Sequence, residues 1–241
     1  DLNERSAGKR LPSIYLRDLD PDASPSENNS DLLFERAPPR LVQEQSIATD
    51  KSWSPALTYR AMARGYLYAP FQAAYDDGAQ LSPADYGHWT ITPYALKGDD
   101  RQAIYYSQPL ILPDGTVYGV IGVELLTSYL ADKLPCAELQ GDGSGLYLLA
   151  CSNMMLNLDT LSLDLAPVLC SGSSAFASGT TAVASRRGTG CFRLVQDHVP
   201  YTASVMSLNL YNRNAPFSGD RWYLVGMVPT ANLSAFSNRV Q

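Results

Sequence analysis

Two apolar stretches in the middle of the chain predict a β-hairpin. They run from 103 to 111 and from 116 to 125, and Leu-Pro-Asp-Gly at 112–115 separates them. Pro, Asp and Gly in such a linker are typical of a tight turn between antiparallel strands. The following segment, TSYLADKL at 127–134, predicts a short helix that ends before Pro135.

The rest of the chain alternates between short strands and turns. Before the hairpin, 11–17 predicts a strand, and 53–64 predicts a short helix with Ser54 as N-cap and Pro55 in its first turn. Beyond the hairpin, 158–169 predicts a partly helical segment. Further strands are predicted at 143–151, near 181–185, and at 190–196, 201–208 and 221–229.

The two halves of the chain end in similar sequence patterns. TVYGVIGVELLTSYL in the first half and RWYLVGMVPTANL in the second both predict a strand, a Gly near its end and then a helix. Such a weak internal repeat indicates a duplicated architecture. We therefore predict modules at 1–135 and 136–229, and a C-terminal helical segment at 230–241 because Leu233, Phe236 and Val240 have helical spacing.

Composition excludes several classes of function. The net charge is −6 and no stripe of Lys and Arg exists, so nucleic-acid binding is not expected. No apolar run reaches the roughly 18–20 residues of a membrane span. Because the chain starts at Asp1, we expect a fragment whose spans belonged to a longer chain. No motif of a known catalytic site is present, and we predict that the chain is not an enzyme.

The cysteines and histidines do not form a metal-ligand pattern. Four cysteines, at 136, 151, 170 and 191, lack CxxC spacing, and the only histidines are His88 and His198. We predict neither a metal nor a cofactor. The sequence is compatible both with two disulfides and with buried thiols.

Two segments resemble the double Cache family of tandem PAS-like sensor domains. YYSQPLILPDGTVYGVIGVELLTSYL resembles the hairpin of the membrane-distal half, and NLYNRNAPFSGDRWYLVGMVPTANL resembles the closing hairpin of the membrane-proximal half. The resemblance covers most of 50–135 and 143–233.

The resemblance implies an α+β fold of two modules, each with a central antiparallel sheet flanked by helices. It also implies a long N-terminal helix; the sequence before Leu11 does not predict one, and we expect it to be truncated here. The implied function is the small-molecule input of a histidine kinase, diguanylate cyclase or chemoreceptor. Such a domain lies on the extracytoplasmic side of the membrane, is anchored by helices outside this sequence, and allows a homodimer in the full-length receptor.

The residues themselves suggest a ligand site in the first module. Tyr118, Val120, Gly122 and Glu124 share one face of a strand. Glu124 would bind the ammonium of an amino acid, an amine or another metabolite, and Gly122 would leave room for that ligand. We predict aromatic walls that add cation–π attraction. These walls are Tyr66, Tyr68, Trp89, Tyr94 and Tyr106.

The sequence leaves several alternatives open. The aromatic residues would otherwise fill the core, and Glu124 would otherwise lie at the surface or in a salt bridge. The family's amino-acid pattern matches at Pro93 and Tyr94, but Leu96 stands where it has Asp, and Gly65 follows Arg64. A ligand-free interaction or spacer module and a secreted hydrolase are the rival functions.

Overall fold

A computed structural model describes most of the chain. The described residues are 10–19, 32–58, 65, 68–95, 101–134, 139, 145–152, 162–171, 182–187, 191–196 and 199–233. Contacts divide the chain into two units, Asp1–Tyr68 and Ala69–Gln241. The module boundaries predicted at 135 and 229 stay a prediction.

Within its described residues, the first unit has five short strands and one helix. These elements are β1 (Arg10–Pro12), β2 (Tyr15–Asp18), β3 (Leu32–Arg36), α1 (Pro39–Glu44), β4 (Ala48–Ser54) and β5 (Ala56–Thr58). Strands β1 and β5 form an antiparallel pair, while β2, β3 and β4 form a three-stranded sheet in which only β3 and β4 are parallel. The strand predicted at 11–17 is thus split between β1 and β2.

The helix predicted at 53–64 is wrong over its first six residues. Ser54 ends β4, and β5 begins at Ala56 and pairs with β1. Pro55 lies between the two strands, where its missing N–H removes no ladder hydrogen bond. The Ser54 hydroxyl donates to the carbonyl of Ala56 and so does not cap a helix. Residues 59–64 lie outside the described part of the chain.

The second unit begins with helix α2 and an antiparallel sheet. Helix α2 (Tyr68–Asp76) starts one residue before the unit boundary and is followed by a 3₁₀ turn at Pro83–Tyr86. The next elements are β6 (His88–Trp89), β7 (Tyr94–Ala95), β8 (Gln102–Ile111), β9 (Val117–Leu126) and α3 (Thr127–Asp132). Strand β8 is central, because β9 pairs along one edge and β6 and β7 pair along the other.

The predicted hairpin and the helix after it are confirmed. The turn between β8 and β9 is closed by a 2.9 Å hydrogen bond from the amide of Leu112 to the carbonyl of Thr116. Asp114 accepts from the amide of Thr116, also at 2.9 Å. Gly115 has a φ of +86°, a conformation that glycine adopts without steric cost.

Six further strands close into an antiparallel barrel in chain order. They are β10 (Leu146–Ser152), β11 (Ser162–Cys170), β12 (Ala182–Arg187), β13 (Cys191–Gln196), β14 (Val199–Leu208) and β15 (Arg221–Pro229), with β15 also pairing β10. The strands predicted here are confirmed, and so is the α+β class with antiparallel sheets. The closure of these six strands into a barrel was not predicted from the sequence. A helical turn follows β15 at 230–233, and residues beyond 233 lie outside the described part.

The partly helical segment predicted at 158–169 is wrong where the structure describes it. Strand β11 occupies it from Ser162 onward and pairs with β10 and β12. Leu165 is buried and its neighbour Asp164 is exposed, which is the two-residue period of a strand. Residues 158–161 are not described.

Among the side chains that the structure describes, those of five barrel strands fill the interior with apolar groups. The fully buried members of this core are Leu148, Ala150, Leu165, Leu194, Ala203, Val225 and Met227. Alternate residues of β10 and β15 point outward and form part of a second cluster. Its buried members are Ile104, Cys151, Val168 and Trp222. One face of the β8 sheet therefore packs against the outside of the barrel.

Polar contacts border this packed interface. His88 Nε2 lies 3.3 Å from Asp220 Oδ2, and the His88 ring lies 4.3 Å from the ring of Phe217. The amide of Trp89 donates to the hydroxyl of Tyr211 at 3.1 Å. These contacts join the β6 edge of the sheet to the loop between β14 and β15.

Within the described residues, no helix has both the length and the apolar character needed to cross a bilayer.

Replacing Trp222 tests whether the sheet–barrel interface stabilises the unit. Trp222 is 2% exposed, so Trp222→Ala should lower the free energy of unfolding by about 3–5 kcal/mol through lost burial and the cavity left behind. Met206→Ala, at a position of β14 that is 55% exposed, should cost less than about 0.5 kcal/mol. Urea unfolding followed by circular dichroism measures both. Equal losses in the two variants would contradict the packing described.

Candidate functional site

Two of the predicted ligand-binding residues meet on the face of the β8 sheet opposite to the one that packs on the barrel, which we call the first face. The Tyr94 hydroxyl donates to Glu124 Oε1 at 2.6 Å. Tyr94 lies opposite Ala103, and Glu124 lies opposite Tyr105. The Tyr94 side chain thus spans β8 at the small, fully buried Ala103 to reach the carboxylate on β9. This contact holds Glu124 at a half-buried position.

Tyr105 fills the space that was expected above Gly122. A Cβ placed on Gly122 would lie 2.6 Å from Tyr105 Cε1 and closer still to its hydroxyl. Real carbon atoms do not approach so closely, so the glycine is required by the tyrosine ring. The expectation that Gly122 leaves room for a ligand is therefore corrected, because a side chain of the protein lies there.

Two other predicted residues lie on the opposite face. Trp89 pairs with Tyr106 across β6 and β8, and their ring centroids are 4.9 Å apart. Burial raises the pKa of the Tyr106 hydroxyl. Trp89 packs against the cluster at the barrel, so this face is occupied by the interface. The predicted walls Trp89 and Tyr106 do not share one hollow with Glu124.

The remaining two predicted residues cannot be assigned to either face. Tyr66 lies outside the described residues, and Tyr68 is the first residue of α2 and belongs to the other unit. Their contact with a ligand stays a prediction.

Sequence reasoning missed Tyr105, and a one-residue shift in the strand register explains why. The register shifts by one residue between Leu110 and Ile111. If the register set by the pairing of Ile111 with Val117 continued along β8, Tyr106 would lie opposite Gly122 and on the same face as Glu124. A one-residue shift exchanges the two faces of a strand. Tyr105 could have been identified only by recognising this irregularity next to the Leu-Pro-Asp-Gly turn, which no local sequence preference specifies.

The carboxylate of Glu124 can take a cationic ligand group. An ionised carboxylate accepts hydrogen bonds, and Glu124 accepts one from the Tyr94 hydroxyl. Charge-assisted hydrogen bonds from an ammonium are stronger than those between neutral groups. The first face thus carries an anionic acceptor that is hydrogen-bonded to Tyr94 and lies across the strands from Tyr105.

A hollow lies on the barrel. It has a volume of about 270 Å³ and is lined by Cys191, Phe192, Arg193, Pro200, Thr202 and Thr230. It lies where β15 passes into the final helical turn, and it contains none of the predicted ligand residues. No group of three or more His, Cys, Asp or Glu suited to a metal ion occurs among the residues that the structure describes.

Two described cysteines have opposite environments. Burial, with a smaller contribution from the charge of Asp220, raises the pKa of the Cys151 thiol to about 12. Cys191 is exposed on β13. Both are thiols, while Cys136 lies outside the described residues.

Comparison with known proteins finds similarity in structure alone. No protein-family model and no curated protein matches the chain. It is similar to the ligand-binding domain of the Pseudomonas aeruginosa PAO1 amino acid chemoreceptor PctB in complex with L-Arg, with 14% identity, a TM-score of 0.45 and coverage of 76% of this chain and 64% of that one.

Two further solved domains show the same degree of similarity. The ligand-binding domain of the Pseudomonas fluorescens chemoreceptor CtaA with L-alanine has 15% identity, a TM-score of 0.41 and coverage of 75% and 64%. That of Pseudomonas aeruginosa PctC with GABA has 16% identity, a TM-score of 0.43 and coverage of 75% and 65%. The chain therefore spans less than two thirds of the length of each.

The two thiols should differ strongly in alkylation by iodoacetamide at pH 8. With a pKa of about 12, only about one Cys151 in ten thousand is the reactive thiolate at that pH. We expect Cys191 to be labelled in the native protein and Cys151 only after denaturation, as measured by peptide mass spectrometry. Native labelling of Cys151 as fast as that of Cys191 would contradict its burial.

Proposed function

We propose that the chain is the extracytoplasmic input domain of a membrane receptor, and that it binds a small molecule at the first face of the β8 sheet. The observation that carries this proposal is the half-buried carboxylate of Glu124, held by Tyr94 beside the ring of Tyr105. The ligand class is an amine or amino acid, whose ammonium pairs with Glu124.

The chemistry of this face supports binding rather than catalysis. Ligand sites combine apolar and aromatic walls with a few oriented polar groups. Tyr94 orients Glu124, and the phenol rings provide faces that attract a cation. Cys151 lies at the interface with the barrel and not on this face, and its buried thiol stays protonated at neutral pH and so is not a nucleophile. We propose no catalytic role for the chain.

The packing of the sheet supports a route for the signal. A ligand that binds one of two conformations more tightly shifts their populations. Movement of β8 and β9 would act on the barrel through Ile104 and Trp222. Strand β15 carries Trp222 and continues into the helical turn at 230–233, on the way to the predicted membrane anchor. The receptor would be a histidine kinase, diguanylate cyclase or chemoreceptor, with a homodimer in the full-length protein.

One observation favours the rival function of a ligand-free interaction module. Tyr105 occupies the space above Gly122, so this part of the face is already filled without a ligand. A module that only contacts a partner protein would need no space beside Glu124. Ligand screening separates the two functions.

Screening amino acids and primary amines by thermal shift tests the proposal. A ligand at one hundred times its Kd stabilises the native state by about 2.7 kcal/mol, so it should raise the melting temperature. Glu124→Gln keeps the shape of the side chain and removes its charge, and should abolish that rise.

Glu44→Gln is the matched control, since this glutamate has 53% of its side chain exposed on α1 and its loss should leave the rise unchanged. An amine that stabilises wild type and Glu124→Gln equally would refute the role of Glu124. The absence of any stabilising compound would favour the interaction module.

A further inference from the structure

Tyr105 stands where a ligand of Glu124 would be expected to lie. It is directly opposite Glu124 in the ladder, and its ring covers Gly122, two residues away on the same face. The side chain is 8% exposed, so its ring is almost completely removed from water. A buried phenol and a carboxylate thus lie side by side on one face of the sheet.

We infer that Tyr105 is an intramolecular substitute for the ligand, and that binding requires its ring to leave the position above Gly122. The ligand class follows from what the ring occupies: an amine whose ammonium reaches Glu124 and whose flat apolar group, about the size of a phenol, replaces Tyr105. This inference rests on the proposed function, whose amine site it extends.

Such self-occupation sets the apparent affinity. If the open conformation is a small fraction of the population, the measured Kd exceeds the intrinsic Kd by the reciprocal of that fraction. Removing the ring abolishes this competition and leaves a cavity. Cavities lined by apolar groups bind small aromatic molecules when the protein cannot collapse into them. Tyr105→Ala should therefore bind compounds that wild type does not.

Two probes separate the contribution of the ring from that of the amine. In Tyr105→Ala, p-cresol should fill the space of the missing side chain and raise the melting temperature. Tyramine carries the same ring and an ammonium, and should bind this variant at least ten times more tightly than p-cresol by calorimetry. In Tyr105→Ala/Glu124→Gln this advantage of tyramine should be lost, while p-cresol still binds. Wild type should bind both probes at least ten times more weakly than Tyr105→Ala.

Tyr106→Ala is the matched control. A Cβ on Gly87 would lie 2.8 Å from Tyr106 Cζ, so Tyr106 covers a glycine just as Tyr105 does, but on the opposite face. A cavity there adjoins Trp89 and lacks Glu124. Tyramine should have no advantage over p-cresol in this variant, and Glu124→Gln should not change the binding of either probe.

A second pair of variants tests the position of the ring without any ligand. Gly122→Ala should lower the melting temperature of wild type, because the added methyl group collides with Tyr105. The same substitution should have little effect in Tyr105→Ala, since the colliding ring is absent. Equal effects in both backgrounds would overturn the inference, as would failure of p-cresol to bind folded Tyr105→Ala.

Failure of the proposed function has a different signature. If p-cresol binds Tyr105→Ala but tyramine gains nothing from Glu124, the ring position is supported and the amine-binding role of Glu124 is overturned.

Discussion

Trp222 lies on the outer side of β15 and is nevertheless 2% exposed, because Ile104 and its neighbours from the β8 sheet cover it. The second unit depends on this contact. Burying a large aromatic side chain stabilises a fold more than almost any other single residue. The contact also defines the sheet, since the face that carries Ile104 and Trp89 is committed to packing. The opposite face carries Glu124, Tyr94 and Tyr105.

The same contact explains the character of the adjoining barrel strands. Strands β10 and β15 are covered inside by the barrel core and outside by the sheet, so Leu148 and Cys151 are both buried. Their sequences are therefore almost continuously apolar, as expected for strands covered on both sides. In β11, Leu165 faces the barrel core while Asp164 is exposed, which shows the alternation of a strand with one wet side.

A feature could be predicted from the sequence only where a local pattern of residues specifies it. The hairpin of β8 and β9 was predictable because a turn motif and two apolar runs agree locally. The alternation in β11 was present in the sequence, although Leu163 and Leu165 also fit a helical segment. Tyr105 was not predictable, since its face depends on a one-residue irregularity between Leu110 and Ile111 that no local preference specifies. Glu124 and Tyr94 were identified, but their direct hydrogen bond depends on β7 and β9 both pairing with β8, in a register that the sequence does not specify.

The closure of the six barrel strands has a mechanical consequence. In an open sheet an edge strand can detach by breaking the hydrogen bonds to a single neighbour. Strand β15, in contrast, is hydrogen-bonded on both sides, to β10 and to β14. Shearing it would break two ladders at once. A force on Trp222 would therefore act on the barrel as a whole and not on β15 alone. The helical turn at 230–233, which continues from β15, would move together with the barrel.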